Sequence, residues 1–288
     1  MARADLRHPA NAAGEWFVDT RCIDCGTCRE LAPDLFAAHR GTSVVARQPA
    51  GAEALGAELA AQACPTQSIG TASRRPRSDR LFPREVEGGV FDCGYTSEAS
   101  FGATSWFVHR PGEGNLLVDS PRFVPHLERA FAERGGVADV LLTHCDDVAD
   151  AARWADRFGA RVWIHAADRW AAPFATDVLE GRDEVELRPG LVAVPTPGHT
   201  RGSVVYVLED RYLFTGDSLA WSHDSGDLTA FRGACWYSWP EQTASLARLA
   251  AGHRFEWVLP GHGARVHLDA DDSGPRLVSL VERMRRTP

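Results

Sequence analysis

The chain has 288 residues, 44% hydrophobic and 24% charged, the proportions of a globular protein with enough apolar material for a sizeable core. All 31 basic residues are arginine, which excludes a Schiff-base lysine and a Walker-type phosphate-binding lysine. The formal net charge of −8 argues against a polyanion-binding surface, because phosphate contacts need a basic stripe, so no nucleic-acid partner is expected.

At roughly 150 residues per domain the length suits two domains, or one domain with an appendage. No run approaches the eighteen or so apolar residues of a membrane span, and residues 1–14 lack the apolar centre of a signal peptide. The expectation is a cytoplasmic protein with no membrane partner. Four of the seven cysteines lie in the first quarter of the chain, and in a reducing compartment such a cluster reads as a metal site before a disulfide framework.

Cys22, Cys25 and Cys28 stand in C-x2-C-x2-C, a spacing that wraps a loop round one cubane so that three thiolates reach three irons. Cys64, followed by Pro65, can supply the fourth ligand. In two-cluster chains the motif continues C-x3-C-P, but here Cys28 is followed by Arg29, Glu30, Leu31 and then Ala32-Pro33. Counting back from Cys64 with the same spacing gives Ala60, Ala57 and Ala54, so one cluster is expected and its twin is absent. A structural zinc knot could use the same four thiolates, although such sites show paired C-x2-C units instead of a triplet with a distant Cys-Pro.

Together with Val18-Asp19, Ala32 to Phe36 and the ACPTQSI run, residues 14–72 resemble a single-cluster bacterial ferredoxin. The resemblance implies an α+β ferredoxin-like domain over residues 1–72, with one 4Fe–4S cluster on Cys22, Cys25, Cys28 and Cys64. Because Cys25 is not replaced by Asp, it implies 4Fe–4S over 3Fe–4S. It also implies electron transfer, with a redox partner protein or reductase as partner. A structural or sensory cluster is the other reading.

Residues 71–84 hold five arginines, two prolines and one acid in a chain that is acidic overall, and 73–84 read as a linker. Beyond it, short β-branched runs punctuated by Gly, Pro and Asp predict strands at 105–109, 115–119, 137–143, 161–165, 191–195, 203–208, 212–215 and 257–260. Ala151, Trp154, Ala155 and Phe158 share one face of a helix predicted over 150–158, and a second helix is predicted over 239–251. The second part, 85–288, is thus α/β of mixed order, and its final RMRRTP reads as a frayed basic tail.

Four motifs follow apolar strands there: Thr143-His144-Cys145-Asp146-Asp147, Pro197-Gly198-His199, Thr215-Gly216-Asp217 and Pro260-Gly261-His262. That placement puts imidazoles and carboxylates on loops at one sheet edge, where a metal can be held with a coordination position left open. In this order the motifs resemble the metallo-β-lactamase superfamily over roughly residues 85–270. The resemblance implies an αββα sandwich with one or two divalent metals at that edge. It makes His144 the first histidine of the H-x-H-x-D-H motif, His199 the following histidine, Asp217 the bridging carboxylate and His262 the last histidine.

The chain departs from that pattern in the first motif. In register, Asp146 replaces the second histidine, Val148 the aspartate and Ala149 the final histidine; a two-residue insertion would align Asp150 with the aspartate instead. The expected metal ligands are therefore His144, Asp146, Asp150, His199, Asp217 and His262, with Asp217 also catalytic through orienting a water. Asp147 reads as an N-cap or first-turn carboxylate. Carboxylate at position 146 moves the site toward oxygen-rich ligation, so iron or manganese stand beside zinc. Asp119 reads as structural or supporting, His109, His165, His253 and His267 as packed histidines, and Cys145 as pointing away from the metal. Cys93 and Cys235 read as small buried hydrophobes. The aromatic segment 231–239 lines a pocket, faces the first module or packs in the core.

Three functions fit this reading. One is a metal-dependent hydrolase, similar to thioester- and ester-cleaving members of the superfamily, acting on a small-molecule substrate with the cluster structural or regulatory. Another is an oxidoreductase whose cluster feeds an iron site, and the third is an electron carrier with a non-catalytic second domain. The favoured reading is an iron-sulfur metalloprotein with a ferredoxin electron-transfer module and a metal-dependent hydrolase domain, while the fold leaves the substrate open.

Overall fold

The computed structural model describes residues 1–73 and 81–286. Of the expected linker, residues 74–80 lie outside the described residues, as do the last two of the chain.

In the N-terminal part, strands Trp16–Val18 and Ile69–Thr71 pair antiparallel and bring the two ends of the module together. Between them lie a hairpin, Phe36–Ala38 with Ser43–Val45, and two helices, Thr27–Leu31 (α1) and Ala54–Ala63 (α2). Ala57 and Ala60 are almost wholly buried, packed with Val18, Phe36, Val45 and Ile69. Alanine where a second cluster would need thiolates thus gives α2 a face small enough to close on α1. Thr96, beyond the linker, donates from both its amide and its hydroxyl to the Ala63 carbonyl, while Phe82 packs with Leu59 and Ala63. The two parts of the chain are therefore in direct contact.

The larger part is a sandwich of two sheets. One has seven strands in the order Asp177–Leu179, Arg161–His165, Asp139–Leu141, Leu116–Val118, Trp106–Val108, Val90–Asp92 and Arg84–Glu87. The first four of these are mutually parallel and the rest antiparallel. The other has six, in the order Val185–Arg188, Leu191–Pro195, Val204–Leu208, Tyr212–Gly216, Trp257–Pro260 and Val266–His267. Both central regions are covered on both faces, so strands such as Leu116–Val118 and Val204–Leu208 are apolar without alternation.

Trp106, Leu116 and Val118 meet Val204, Tyr206 and Phe214 between the sheets. Helices Pro125–Ala132 (α3) and Ala151–Phe158 (α4) cover one outer face, where the Phe131 ring stacks on Phe107 with centroids 4.4 Å apart. Helices Trp239–Gly252 (α5) and Ala270–Arg286 (α6) cover the other through Leu246, Leu249, Leu277 and Met284. The helix predicted after residue 238 starts where Ser238 Oγ accepts from the Glu241 amide, with Pro240 in its first turn. The expected frayed tail is corrected as far as Arg286: α6 runs to that residue, and Arg283 pairs with Asp227 at 3.0 Å.

This αββα arrangement places the ends of strands Asp139–Leu141, Leu191–Pro195, Tyr212–Gly216 and Trp257–Pro260 at one edge, so the loops carrying His144, His199, Asp217 and His262 converge there. Among the described residues, no helix is long and apolar enough to cross a membrane.

Candidate metal centres

The first centre is a cradle of cysteines. Cys22, Cys25, Cys28 and Cys64 line one small cavity together with Val18, Ile23 and Ile69, and all four are free of disulfides. Gly26, in the left-handed region at φ +87°, turns the loop into α1 so that Cys28 points inward. The Asp24 and Ser43 amides donate to Cys22 Sγ at 3.4 Å, and the Ser68 amide donates to Cys64 Sγ at 3.3 Å. Thr27 Oγ1 lies 3.4 Å from Cys25 Sγ. Burial pushes the Cys28 thiol up to about 12, and the Cys25 thiol up as well. Two buried thiols, Cys25 and Cys28, that cannot ionise cheaply without positive charge, set with Cys22 and Cys64 round one apolar cavity with amide donors aimed at sulfur, fit a group that brings its own cations.

The second centre is built at the sheet edge. His144 is buried to 1% exposure at the end of its strand. Thr143 Oγ1 donates to Asp119, 2.9 and 3.0 Å from the two carboxylate oxygens, and lies 2.9 Å from His144 Nδ1. The hydroxyl has a single proton, already given to Asp119, so it accepts from Nδ1–H and leaves the lone pair on Nε2 facing the site. Asp119 is thus a supporting residue, with a carboxyl raised by burial to about 7 against the Thr143 hydrogen bonds that lower it.

His199 Nε2 is 3.4 Å from Asp146 Oδ2 and 3.6 Å from Asp217 Oδ2. His144 Nε2 is 3.7 Å from Asp217 Oδ2 and 3.9 Å from Asp146 Oδ2. Neither Nε2 has a hydrogen-bond partner although both are buried. Donors about 2.0–2.1 Å from one tetrahedral ion lie about 3.3 Å apart, so these spacings are those of a ligand shell that contracts slightly on an ion. Two orphaned, buried imidazole nitrogens facing the largely buried Asp217 and the half-exposed Asp146 are otherwise costly, and a divalent cation resolves that cost.

The electrostatics follow from burial and mutual charge. Burial lowers His144 to about 4 despite the Asp217 carboxylate, so the imidazole is a neutral ligand near pH 7. Burial acts to raise Asp217, but the charge and hydrogen bond of His262, with His144 and His199 beside it, hold it well below the usual carboxylate range. The His199 imidazole beside it, with Nε2 3.4 Å away, lowers Asp146 against the burial that would raise it.

A second group meets the same edge. Asp147 is buried with neither carboxylate oxygen hydrogen-bonded, and it lies with His144 and Asp217 in a triad able to hold an ion. Burial first, and then Asp217, Asp119 and Asp146, push its carboxyl far up. Only glycine fits at 261: a Cβ there would be 2.8 Å from Asp147 Oδ2 and 2.9 Å from Asp217 Oδ1. His262 completes the edge without joining either donor group. Its Nδ1 is 3.0 Å from both Asp217 oxygens and its Nε2 is 3.3 Å from the Phe101 carbonyl. Burial would lower His262, but Asp217 outweighs it and the ring is raised to about 9.

The structure therefore brings together His144, Asp146, His199 and Asp217 of the expected ligands, turns His262 into the partner of Asp217, and leaves Asp150 out. Asp150 Oδ2 accepts from the Phe123 amide at 2.7 Å and lies 3.8 Å from Arg153, so it ties the segment before α3 to the start of α4. Asp147, read from the sequence as a helix-capping carboxylate, faces the site instead. It sits in a short 3-10 turn, Cys145–Asp147, that ends before α4 begins and swings the side chain inward.

Sequence reasoning also passed over Asp168. This buried carboxylate accepts from the Cys145 amide at 3.1 Å, Thr200 Oγ1 at 2.5 Å and the Gly202 amide at 3.1 Å, clipping the His199 loop to the His144 loop. Its signal was available, since it follows the apolar strand Arg161–His165 as the ligand motifs follow theirs. The aromatic segment divides: Trp239 packs in the core, while Trp236 and Tyr237 are exposed, their amides donating to the His199 carbonyl. Cys145 Sγ donates to Asp146 Oδ1 and lies outside both donor groups. His165 is hydrogen-bonded to the Gly181 carbonyl, away from the centre.

Comparison with known proteins matches residues 18–71 to the 4Fe-4S single cluster domain of ferredoxin I and residues 91–282 to the metallo-beta-lactamase superfamily. A hydroxyacylglutathione hydrolase of Fuscovulum blasticum is 30% identical over 190 residues, 62% of this chain and 72% of that protein. One of Acidiphilium cryptum is 34% identical over 180 residues, 59% of this chain and 70% of that protein. Among solved structures, the DIM-1 metallo-β-lactamase superposes with a TM-score of 0.53 at 20% identity, over 69% of this chain and 95% of that one. A metallo-β-lactamase from Hirschia baltica gives 0.51 at 17% identity, over 69% and 96%. Low identity with a shared sandwich speaks for the fold, and the family match covers two thirds of the chain with the metal-edge loops inside it. The chain belongs to the metallo-β-lactamase superfamily, and it carries a single-cluster 4Fe–4S ferredoxin domain ahead of that fold.

Proposed function

We propose that the second domain is a metal-dependent hydrolase that cleaves thioesters, and that the first domain is an α+β ferredoxin-like electron-transfer module serving a redox partner protein or reductase. The observation that carries the hydrolase reading is the donor set: two buried, unpartnered imidazole nitrogens facing Asp146 and Asp217 within 3.4–3.9 Å. Hydroxyacylglutathione hydrolases among the relatives support a thioester of a hydroxy acid with a thiol peptide as the substrate class.

In this reading His144, His199, Asp146 and Asp217 hold a divalent metal, zinc first, with iron or manganese admitted by the two carboxylates. When bound, the metal supplies Lewis acidity and lowers the pKa of water toward neutrality. The protein's part is to keep its donors in place and to handle protons. Thr143 and Asp119 fix His144 in the Nδ1–H tautomer, and Asp168 holds the His144 and His199 loops in register. Asp217 keeps its charge next to His262, while Asp147 can take a proton at a carboxylate oxygen that has no other partner. Trp236 and Tyr237, on the rim beside His199, offer apolar area for the acyl or thiol part of a substrate, and Arg201 lies over the Tyr237 ring at 5.2 Å.

A second reading, in which the cluster feeds electrons to an iron at the sheet edge, draws on the contact between the two centres and on a donor set that combines two imidazoles with carboxylates. Elemental analysis of anaerobically purified protein, with thioester hydrolysis assayed on the same sample, separates them. Four irons, about one zinc and turnover are expected. Five or six irons without zinc would replace the hydrolase with the oxidoreductase, and four irons without any other metal would leave an electron carrier.

A further inference from the structure

The two centres meet through one short segment. The 3-10 turn Glu98–Ser100 is capped by Ser97, whose carbonyl also accepts from the Gly102 amide at 2.8 Å, so the turn ends in two consecutive left-handed residues, Phe101 at φ +49° and Gly102 at φ +88°. On one side this bend presses on the cysteine cradle. A Cβ on Gly102 would be 2.7 Å from Cys25 Cβ and 2.8 Å from Cys25 Sγ, and Thr27 Oγ1 donates to the Gly102 carbonyl at 2.9 Å while lying 3.4 Å from Cys25 Sγ. On the other side it holds the sheet edge. The Phe101 carbonyl accepts from His262 Nε2 at 3.3 Å, and the Thr104 amide donates to the Gly261 carbonyl at 2.7 Å. His262 in turn meets both oxygens of Asp217. Cys25 and His262 also line one cavity of about 200 Å³ between the two parts of the chain.

We propose that the Phe101–Gly102 peptide couples the two centres, so that the reduction potential of the cluster and the affinity of the sheet edge for its metal depend on each other. One peptide unit touches a cluster ligand at its Gly102 end and the partner of Asp217 at its Phe101 end, and adjacent Cα atoms are only about 3.8 Å apart. A shift of the strap that suits one centre is therefore felt at the other. Coupling of this kind is reciprocal: if a dication at Asp217 favours the reduced cluster by some factor, reduction tightens the dication by the same factor. The electron comes from an added one-electron donor and stays on the cluster, and zinc serves as the dication because it is redox-inert. Thr27 is the positioning residue, since its hydroxyl donates to the strap at the Gly102 carbonyl while its oxygen lies against Cys25 Sγ, 3.4 Å away. The inference rests on the donor set being a metal site.

The test is an EPR-monitored redox titration of the full chain with its cluster, zinc-free after chelation and again with zinc restored, the zinc content of each sample being measured. Zinc is expected to raise the midpoint potential, with a tenfold coupling reading as a shift of about 59 mV for a one-electron couple. In Thr27→Val, which keeps the shape and removes the hydroxyl, the shift is expected to fall by at least half. Should that variant lose its cluster, the reciprocal measurement on the unaltered chain decides: zinc affinity must rise on dithionite reduction by the factor the potentials give. An unmoved potential in a sample shown to hold zinc would overturn the coupling, and an equal shift in Thr27→Val would overturn the strap as its route. Absence of zinc uptake would instead refute the metal-site reading on which the inference stands.

Discussion

The cysteine cradle and the sheet-edge centre solve the same problem, holding cations in a protein interior, in opposite ways. The cradle draws its ligands from a short stretch, three of them on one loop, and lines them with apolar side chains and amide donors to sulfur. The sheet edge gathers donors from loops far apart in the chain, and it needs hidden carboxylates, Asp119 and Asp168, to hold them. The first depends on local spacing and the second on the register of two sheets. Damage to the second should therefore leave the first intact.

His199→Ala breaks the pair most sharply. It removes one of two unpartnered imidazoles from the donor set, and the site left behind has one nitrogen facing two carboxylates. The expected outcome is loss of second-site zinc by elemental analysis and a fall in kcat/KM on the order of 10³-fold, since a metal contributes several kcal/mol to such chemistry. The cluster's visible absorbance should not change. Retained zinc would remove the donor set from consideration, and a lost cluster would show that the two centres are not separable.

A pH series sharpens the comparison within the sheet edge once its metal is chelated. His262 is raised to about 9 against an unfolded value of about 6.5, so its contribution is complete below pH 6.5 and is lost as pH rises through 9. His144 runs the other way: lowered to about 4, it costs stability as pH falls from 6.5 toward 4. Chelated protein should therefore weaken at both ends, and His262→Gln should flatten only the alkaline arm, an effect on the order of 3 kcal/mol at 1.36 kcal/mol per unit. Urea midpoints between pH 5 and 10 measure it. An alkaline arm of unchanged slope in the variant would refute the ion pair with Asp217.

How much of this was legible follows from where the information lies. The cluster ligands are legible because C-x2-C-x2-C constrains a single loop, and Ala54, Ala57 and Ala60 mark the missing twin as plainly as cysteines would have marked its presence. The strands that carry the ligands are legible from their apolar runs, while Arg84–Glu87 and Val185–Arg188, at the sheet margins, are too polar to announce themselves. Asp147 was hidden because a carboxylate before a helix ordinarily caps it, and only the 3-10 turn at Cys145–Asp147 redirects the side chain. His262 was misplaced for a different reason. Its motif gives its position on the edge, but which way its ring nitrogens face is decided by Phe101, 161 positions away.

The smallest effect tests the residue that sequence reasoning placed among the ligands and the structure removes. Asp150 accepts the Phe123 amide at 2.7 Å, a bond between the segment before α3 and the start of α4 that has no contact with the donor set. Asp150→Ala deletes the acceptor and should cost about 1 kcal/mol of stability, the net worth of one intramolecular hydrogen bond, while zinc content and thioester turnover stay at the level of the unaltered chain. Asp150→Asn keeps a carbonyl oxygen in the same place and should recover most of that loss. A structural residue must show this ranking in denaturant midpoints. A ligand would show the reverse, with little change in midpoint and a loss of zinc in both variants, and that result would restore the insertion reading in which Asp150 takes the place now given to Asp147.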